Sequence, residues 1–122
     1  MPEWERELER CKEYLKPSFD RFGYNNWDDV KRKVKEGRWF LLAYPTSALL
    51  IEFHKHPRNN VLFIVCAGGN LDEITSAQEQ LEAIAKKQGC DTIEIRGRKG
   101  WEKIAKKFKG YETHYVVIKK DL

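Results

Sequence analysis

The feature that most constrains the fold is residues 61–88, where an apolar run leads through two glycines into an amphipathic helix. Residues 61–66 read VLFIVC, and six consecutive apolar residues of this kind are typical of a fully buried strand. In the second half of the stretch, apolar residues recur at helical spacing on one face: Ile74, Ala77, Leu81, Ile84 and Ala85. The stretch therefore predicts a buried strand followed by one long helix that ends near Gln88.

The turn between this strand and helix is a candidate ligand site. Asn70 is predicted to cap the helix, with Glu73 three residues later. A buried strand, a Gly-Gly turn and a helix N-terminus form a place where α/β proteins often hold phosphates. If a cofactor binds here, we expect it to contact the backbone of Ala67, Gly68, Gly69 and Asn70.

Length and composition favour one globular domain spanning residues 1–122. The chain is 41% hydrophobic and 34% charged, which fits a folded protein. Its first fifteen residues are too charged for a secretory signal, and no apolar run approaches a membrane span, so we expect a cytoplasmic protein. The three cysteines, Cys11, Cys66 and Cys90, lack CxxC spacing and are expected to be buried, reduced thiols.

The chain before the first strand is predicted to contain two helices. Residues 3–15 are amphipathic, and Pro17 is expected to end this helix, which leaves residues 18–24 as a loop. A second helix over residues 27–36 is capped by Asn26 and ended by Gly37.

Five strands are predicted, at residues 39–44, 48–54, 61–66, 92–96 and 111–119. Short connections favour antiparallel pairing of the first three, whereas the helix between the third and fourth favours a parallel pair. A last helix is predicted over residues 101–109. The order is ααβββαβαβ, which indicates an α+β domain whose mixed, mostly antiparallel sheet is flanked by helices.

This order resembles the GNAT-type N-acetyltransferase fold, short of that fold's usual first and last strands. The closing unit TIEIRGRKGWEKIAKKFKGYETHYVVI carries the resemblance most strongly. The segments SALLIEF, CAGGNLDE and QGCDTIEIRGRKGW, with the Gly-Tyr before the last strand, look like uncharacterised tailed-phage and prophage proteins with a GNAT-like fold. The resemblance implies a location in the host cytoplasm or the virion, and it implies no established activity.

Two features that the resemblance leads one to expect of a working enzyme are missing. Such enzymes follow the fourth strand with a Q/R-x-x-G-x-G/A loop that cradles the acetyl-CoA pyrophosphate, and here no Arg or Gln stands at that spacing. The first helical turn carries Asp72 and Glu73, whose carboxylates would repel a pyrophosphate. The family's thiol-protonating tyrosine is matched by Lys106.

Glu52 and Tyr115 are the candidate catalytic residues. Glu52 lies between Ile51 and Phe53, where a raised pKa would suit a general base. Alternation along the strand also allows Glu52 to lie on the wetter face of the sheet or to pair with a cation, and Glu94 has the same pattern. His54 and His56 could begin a metal site but lack a third ligand, so no metal is expected.

A strip of basic residues accompanies the last predicted helix. Its members are Arg96, Arg98, Lys99, Lys103, Lys106 and Lys107. Such a strip is typical of a solvated surface, and it could also contact phosphates of DNA or RNA without reading sequence.

Three hypotheses follow. The first is a phage-type GNAT-like domain that is non-catalytic or degenerate and for which no cofactor is expected. It would bind a protein partner such as a phage structural protein or a host factor. It would act in virion assembly or in interference with the host. The second is an acetyl-CoA-dependent N-acetyltransferase, and the third is a non-specific nucleic-acid binder that uses the basic strip.

Overall fold

A four-stranded sheet with helices on both faces makes up most of the protein. The computed structural model describes residues 1–97, 100–106, 108 and 110–122, and it describes Phe22 by its backbone alone. The helices within these residues are α1 (Glu3–Arg10), α2 (Lys12–Phe22), α3 (Trp27–Lys35), α4 (Leu71–Ser76), α5 (Gln78–Lys87) and α6 (Gly100–Ala105). The strands are β1 (Phe40–Tyr44), β2 (Ser47–Lys55), β3 (Asn60–Gly69) and β4 (Thr92–Ile95).

The strands lie in the sheet in chain order, β1-β2-β3-β4. β1 with β2 and β2 with β3 are antiparallel, and β3 with β4 is parallel, which confirms the predicted pairing of these four strands. The two-residue connection Pro45-Thr46 folds β1 back onto β2, whereas α4 and α5 return the chain to the start of β4.

Two hydrophobic clusters cover the two faces of the sheet. On the front face, α1–α3 pack residues such as Leu8, Leu15 and Val30 against Leu50 and Cys66. On the back face, α4–α6 pack against a second cluster that includes Leu49, Ile51, Leu62, Ile64, Ile74, Leu81 and Phe108. Alternation along β2 therefore divides its apolar residues between two cores, which explains why this strand has no polar residue before Glu52 except Ser47.

The prediction that Pro17 ends the first helix is wrong. The first helix stops at Arg10, Cys11 separates it from α2, and α2 continues through Pro17 to Phe22, with Gly23 as its left-handed C-cap. Leu15 and Phe19 are buried on either side of the proline. Their packing on the sheet holds the helix together where the proline removes one backbone hydrogen bond.

The predicted boundaries of the strand–turn–helix stretch also need correction. β3 does not break at Ala67 but continues to Gly69, paired with β2 as far as Ser47. The predicted long helix is two helices that meet at Ala77. The side-chain amide of Gln78 donates to the Ile74 carbonyl, which is the acceptor that an unbroken helix would offer to the Gln78 backbone.

The predicted last strand is absent from the described structure. Residues 111–122 contain no helix or strand, and beyond Tyr111 they are exposed. α6 spans only Gly100–Ala105, and the predicted helix positions Lys107 and Lys109 lie outside the described residues. Among the residues described, no helix is both long and apolar enough to cross a membrane.

Candidate functional site

The candidate phosphate site at the end of β3 is a tight junction rather than a loop. Asn70 is the single residue between β3 and α4. Its side chain accepts a hydrogen bond from the Glu73 backbone at 3.1 Å, as the sequence predicts for an N-cap. Its own backbone N–H donates to the Thr46 carbonyl at 3.0 Å. The junction is therefore closed by contacts within the protein, and α4 behind it has only six residues.

The two glycines before Asn70 are required by packing. A Cβ atom at Gly68 would lie 1.9 Å from the carbonyl oxygen of Tyr14, so the backbone of α2 occupies the space beside this residue. Gly69 has φ of +102°, and a Cβ atom there would lie 2.3 Å from the Thr46 carbonyl oxygen. Both glycines thus allow close approach of the protein's own backbone, which leaves their side-chain positions unavailable to a ligand.

Glu73 connects this junction to the turn between β1 and β2. Its carboxylate accepts hydrogen bonds from the Ser47 hydroxyl at 2.6 Å, the Thr46 hydroxyl at 2.8 Å and the Thr46 backbone N–H at 3.0 Å. These bonds lower the pKa of Glu73, with the Ser47 hydroxyl as the largest cause. A negative charge is therefore fixed beside the backbone N–H groups that a pyrophosphate would need.

One edge of β3 is open beside this junction. The ladder between β3 and β4 ends at Ile64 and Ile95, but β3 continues to Gly69. Leu50 pairs with Cys66 and Ile51 with Ile64, so Val65 is an extra residue that forms a β-bulge. Within the described residues, no strand pairs with residues 65–69 on the side away from β2. Bulges and unpaired strand edges often occur next to binding sites.

Glu52 is engaged in structural contacts on the front face. Its carboxylate accepts a hydrogen bond from the indole N–H of Trp39 at 2.9 Å, and His54 Nε2 lies 3.3 Å from the same oxygen. Trp39 is itself buried in the front cluster. The carboxylate therefore satisfies a buried indole donor, which is a sufficient reason for a glutamate at this position.

Glu52, Phe63 and Glu94 stand opposite one another on β2, β3 and β4 and share the front face. Tyr115, the second candidate catalytic residue, donates its hydroxyl proton to Glu94 at 2.6 Å and accepts from Arg96 at 2.9 Å. Two strand spacings, about 10 Å, separate the backbones of the two glutamates. The structure thus brings both candidates to one face but places them at opposite ends of this row.

Arg96 lies over the ring of Phe63 and interacts with Tyr115, so it is engaged at the front face. Lys103 and Lys106 are exposed near the end of α6. The other members of the predicted basic strip, Arg98, Lys99 and Lys107, lie outside the described residues. Phosphate binding by this strip stays a prediction.

The cysteine and histidine side chains offer no further reactive centre among the described residues. Cys11 and Cys66 are buried as predicted, whereas Cys90 is only half-buried, so the prediction is wrong for this residue. Burial raises the pKa of the Cys66 thiol to about 12, so it stays protonated at neutral pH. His54 stacks on Phe63 rather than pairing with His56 around an ion. No group of three or more His, Cys, Asp or Glu residues in the described chain is placed to hold a metal ion.

Sequence reasoning missed three contacts that define these sites: Trp39 with Glu52, Tyr14 with Gly68, and Glu73 with Thr46 and Ser47. A weak signal existed for the first of them. A lone carboxylate in an apolar strand needs a hydrogen-bond donor. Trp39 is the only tryptophan in a predicted strand of this sequence, and its indole N–H is such a donor.

Comparison with solved structures gives matches that cover 78–100% of this chain. The Thermus thermophilus protein TTHA1254 has a TM-score of 0.65 and 14% identity, covering 100% of this chain and 95% of that one. A protein described as a probable acetyltransferase has a TM-score of 0.69 and 7% identity, covering 96% and 95%. A Trypanosoma brucei acetyltransferase has a TM-score of 0.56 and 13% identity, covering 78% and 77%. No protein-family model and no curated protein sequence matches the chain.

These matches confirm the predicted fold. The mixed α+β architecture with a four-stranded sheet flanked by helices is that of acetyltransferase-like proteins. At identities of 14% and below, these matches show the fold alone.

Proposed function

We propose that this protein is a non-catalytic member of the acetyltransferase-like fold that acts by binding a protein partner. One observation carries the non-catalytic part of the proposal: the position where such a fold would hold the cofactor's pyrophosphate is a one-residue junction closed by the protein itself. Tyr14 packs on Gly68, Thr46 bonds to Asn70, and Glu73 places a carboxylate there. The residues at this junction do not fit the pyrophosphate of acetyl-CoA.

Calorimetry with acetyl-CoA tests this proposal. We expect no saturable binding by the wild-type chain, and none by Asp72→Lys, in which a cation replaces a carboxylate of the first turn of α4. A phosphate site at the junction would respond to this substitution with tighter binding, because the added charge attracts a pyrophosphate. Micromolar binding by the wild type that strengthens in Asp72→Lys would overturn the proposal.

The phage or prophage origin belongs to the same proposal, and its support is the sequence resemblance alone. Gene neighbourhood tests it directly. A position among terminase, portal and capsid genes favours a role in virion assembly, and a position among early phage genes favours interference with the host. A neighbourhood without phage genes removes this part of the proposal.

Acetyl transfer is the second candidate function, and the open edge of β3 favours it. The unpaired edge of residues 65–69 and the bulge at Val65 could bind an extended ligand through backbone groups. A thiol-release assay with acetyl-CoA over a panel of amines and peptides measures this activity. Turnover that falls at least 100-fold in Glu52→Gln, with the fold intact, would establish Glu52 as a general base.

A further inference from the structure

We propose that one end of the sheet is a surface that binds the phosphate backbone of nucleic acids. Three chain segments form this surface, which we call the basic end: residues 33–38, 55–60 and 86–91. The basic end shares no residue with the basic strip that accompanies the last predicted helix. The inference goes beyond the proposed function and does not depend on whether acetyl-CoA or a protein partner binds.

Strand pairing brings the three segments to the same end of the sheet. Lys55 pairs with Asn60 where β2 turns back into β3, and β4 begins opposite Val61. The connection from α5 to β4 therefore lies beside this hairpin. β1 begins at Phe40, opposite Ile51, and runs towards the other end of the sheet. The end of α3, which leads into β1, thus also lies on the side of the hairpin.

Hydrogen bonds fix the hairpin to the connection between α5 and β4. The Asn60 backbone N–H donates to the Asp91 carboxylate at 2.9 Å, and the Asp91 backbone N–H donates to the Asn60 carbonyl at 2.7 Å. The Asn60 side chain donates to the Gly89 carbonyl at 3.3 Å. The Asn59 side chain donates to the Thr92 hydroxyl at 3.1 Å. The backbone that carries the cations of these two segments is therefore held in one arrangement.

The end of α3 is joined to the same surface through Trp39. The Lys33 ammonium lies 4.5 Å from the centre of the Trp39 ring. The indole N–H of Trp39 donates to Glu52, and the same Glu52 oxygen lies 3.3 Å from His54 near the end of β2. The Arg38 backbone N–H donates to the Lys33 carbonyl at 2.9 Å, which places both residues at this junction.

The basic end has a higher positive charge than the whole chain. Its seven basic residues are Lys33, Lys35, Arg38, Lys55, Arg58, Lys86 and Lys87. Its only carboxylates are Glu36 and Asp91, so its net charge is +5, compared with +4 for all 122 residues. The rest of the chain is therefore slightly acidic, and the electrostatic field of the protein should attract anions to this end.

The side chains of these basic residues are available to a partner. Within the part of the chain that the structure describes, none of the seven forms an ion pair with a carboxylate. All of them except Lys33 are exposed. The two carboxylates are engaged elsewhere, because Glu36 pairs with Arg32 and Asp91 accepts from Asn60.

Helix dipoles explain only part of this charge. Lysines in the last turns of α3 and α5 offset the partial negative charge of the helix C-termini. Arg38, Lys55 and Arg58 lie outside the helices, so the dipoles do not account for them.

The composition of the basic end favours a phosphate chain over an acidic protein as the partner. Pro57 is the only apolar side chain among the exposed residues of the three segments. Protein interfaces have an apolar core, whereas phosphates are bound by cations and polar groups. Lysine and arginine contacts with phosphates carry no sequence information, so we expect binding to DNA or RNA that does not depend on base sequence.

Fluorescence anisotropy with a labelled DNA duplex and a labelled RNA single strand tests the proposal. We expect micromolar binding at low salt to at least one of the two probes, and the probe that binds more tightly identifies the form of nucleic acid. For duplex DNA each phosphate contacted contributes about −0.9 to the slope of log K against log salt, so four contacts give about −3.6. Absence of binding to both probes, or binding that does not depend on salt, overturns the proposal.

Charge-changing variants locate the binding surface. Lys55→Glu/Arg58→Glu should weaken binding by about tenfold or more, because two phosphate contacts become repulsive. Lys86→Gln/Lys87→Gln should also weaken binding, because this second pair lies on the same surface.

Lys12→Glu/Lys16→Glu is the matched control, with the same change in net charge as the first double variant. These two lysines flank Tyr14, whose backbone lies against Gly68 at the other end of β3. We expect a much smaller loss of binding in this control. Equal losses in the control and in Lys55→Glu/Arg58→Glu would show that only net charge matters and would overturn the proposal.

Two further measurements separate the basic end from the alternatives. A larger loss of binding in Lys103→Glu/Lys106→Glu would assign the contact to the basic strip and overturn the proposal. Tighter binding to polyglutamate than to either nucleic acid would identify an acidic protein as the partner and overturn it as well. Circular dichroism of each variant verifies that it is folded.

Discussion

At the level of single residues, the end of β3 depends on Gly68 lying against the backbone of α2. Gly68→Ala would place a methyl group 1.9 Å from the Tyr14 carbonyl oxygen, where only backbone movement can relieve the clash. We expect the free energy of unfolding to fall by about 3 kcal/mol. Urea denaturation measures this loss.

Gly89→Ala is the control for this substitution. A Cβ atom at Gly89 meets no atom within 4 Å, although φ is +73°. We expect a loss of about 1 kcal/mol from backbone strain alone. Similar losses in the two variants would show that the contact with Tyr14 is not tight in solution.

The carboxylate of Glu73 should make the free energy of unfolding fall as the solution becomes acidic. Because its hydrogen bonds with Ser47 and Thr46 lower its pKa in the folded protein, its contribution is complete above the pKa of the unfolded chain. The contribution disappears as the pH falls through the lowered pKa of the folded state. Glu73→Gln should therefore be less stable than the wild type at pH 7, and the difference should shrink in acid.

Denaturant unfolding of both proteins across this pH range checks the expectation. Asp72→Asn removes the neighbouring first-turn carboxylate and serves as the control, for which we expect a smaller difference at pH 7. A pH-independent difference between wild type and Glu73→Gln would contradict the role assigned to the charge.

Local chemistry explains which residue roles the sequence could reveal. The caps at Asn26 and Asn70 depend on residues three positions away, and both predictions are confirmed. The contact of Gly68 with Tyr14 and the bonds of Glu73 to Thr46 and Ser47 join residues far apart in the chain. The sequence spacing of these residues does not predict the contacts between them. The position of the candidate site could therefore be predicted from the sequence, but not that the protein's own residues close the junction.

At the level of elements, the start of α3 is the best-defined helix terminus. The Asn26 side chain accepts from the Asp29 N–H at 2.9 Å, and Asp29 accepts in return from the Asn26 N–H at 3.0 Å. Asn26→Ala should lower the free energy of unfolding by about 1 kcal/mol. Asn26→Ser retains a capping oxygen and should stay within a few tenths of wild type. Thermal or urea unfolding measures both, and equal losses would contradict the capping role.

The ends of helices and strands could be predicted where the conformation of one residue determines them. They could not be predicted where tertiary packing determines them. Gly37 ends α3 as expected, because only the backbone conformation of one residue is involved. Pro17 does not end α2, since burial of Leu15 and Phe19 outweighs its local preference. For residues 111–119, the pattern predicts a strand but cannot supply the neighbour that a strand requires.

At the level of the whole molecule, the core does not include the C-terminal segment. Residues 112–122 are exposed in the structure, so a chain truncated after Tyr111 should still fold, with an unchanged circular dichroism spectrum. Tyr111 must be kept, because it packs against Phe108 and donates to Gln78. A chain truncated before Tyr111 is the contrasting variant, and we expect it to be less stable because it lacks these two contacts. An unfolded chain after removal of residues 112–122 alone would show that the segment completes the core.

The overall architecture was largely available from the sequence, because hydrophobic periodicity fixes which faces are buried. The order of the four strands and the mixed sheet agree with the prediction, whereas the structure has one more helix than predicted before β1 and one more between β3 and β4. The structural matches cover 96–100% of the chain in two cases. Activity does not follow from this agreement, since it depends on the few residues around the β3–α4 junction.

The unequal lengths of the strand pairs have a consequence for local opening. β2 and β3 share nine paired positions in the centre of the sheet, whereas β4 is attached to β3 by only four. Amide protons of residues 61–64 that bond to β2 should exchange with solvent only on global unfolding, and those of residues 92–95 should exchange through smaller fluctuations. Amide exchange at β4 therefore reports directly on whether anything covers the edge of the sheet, whatever the chemical nature of that partner.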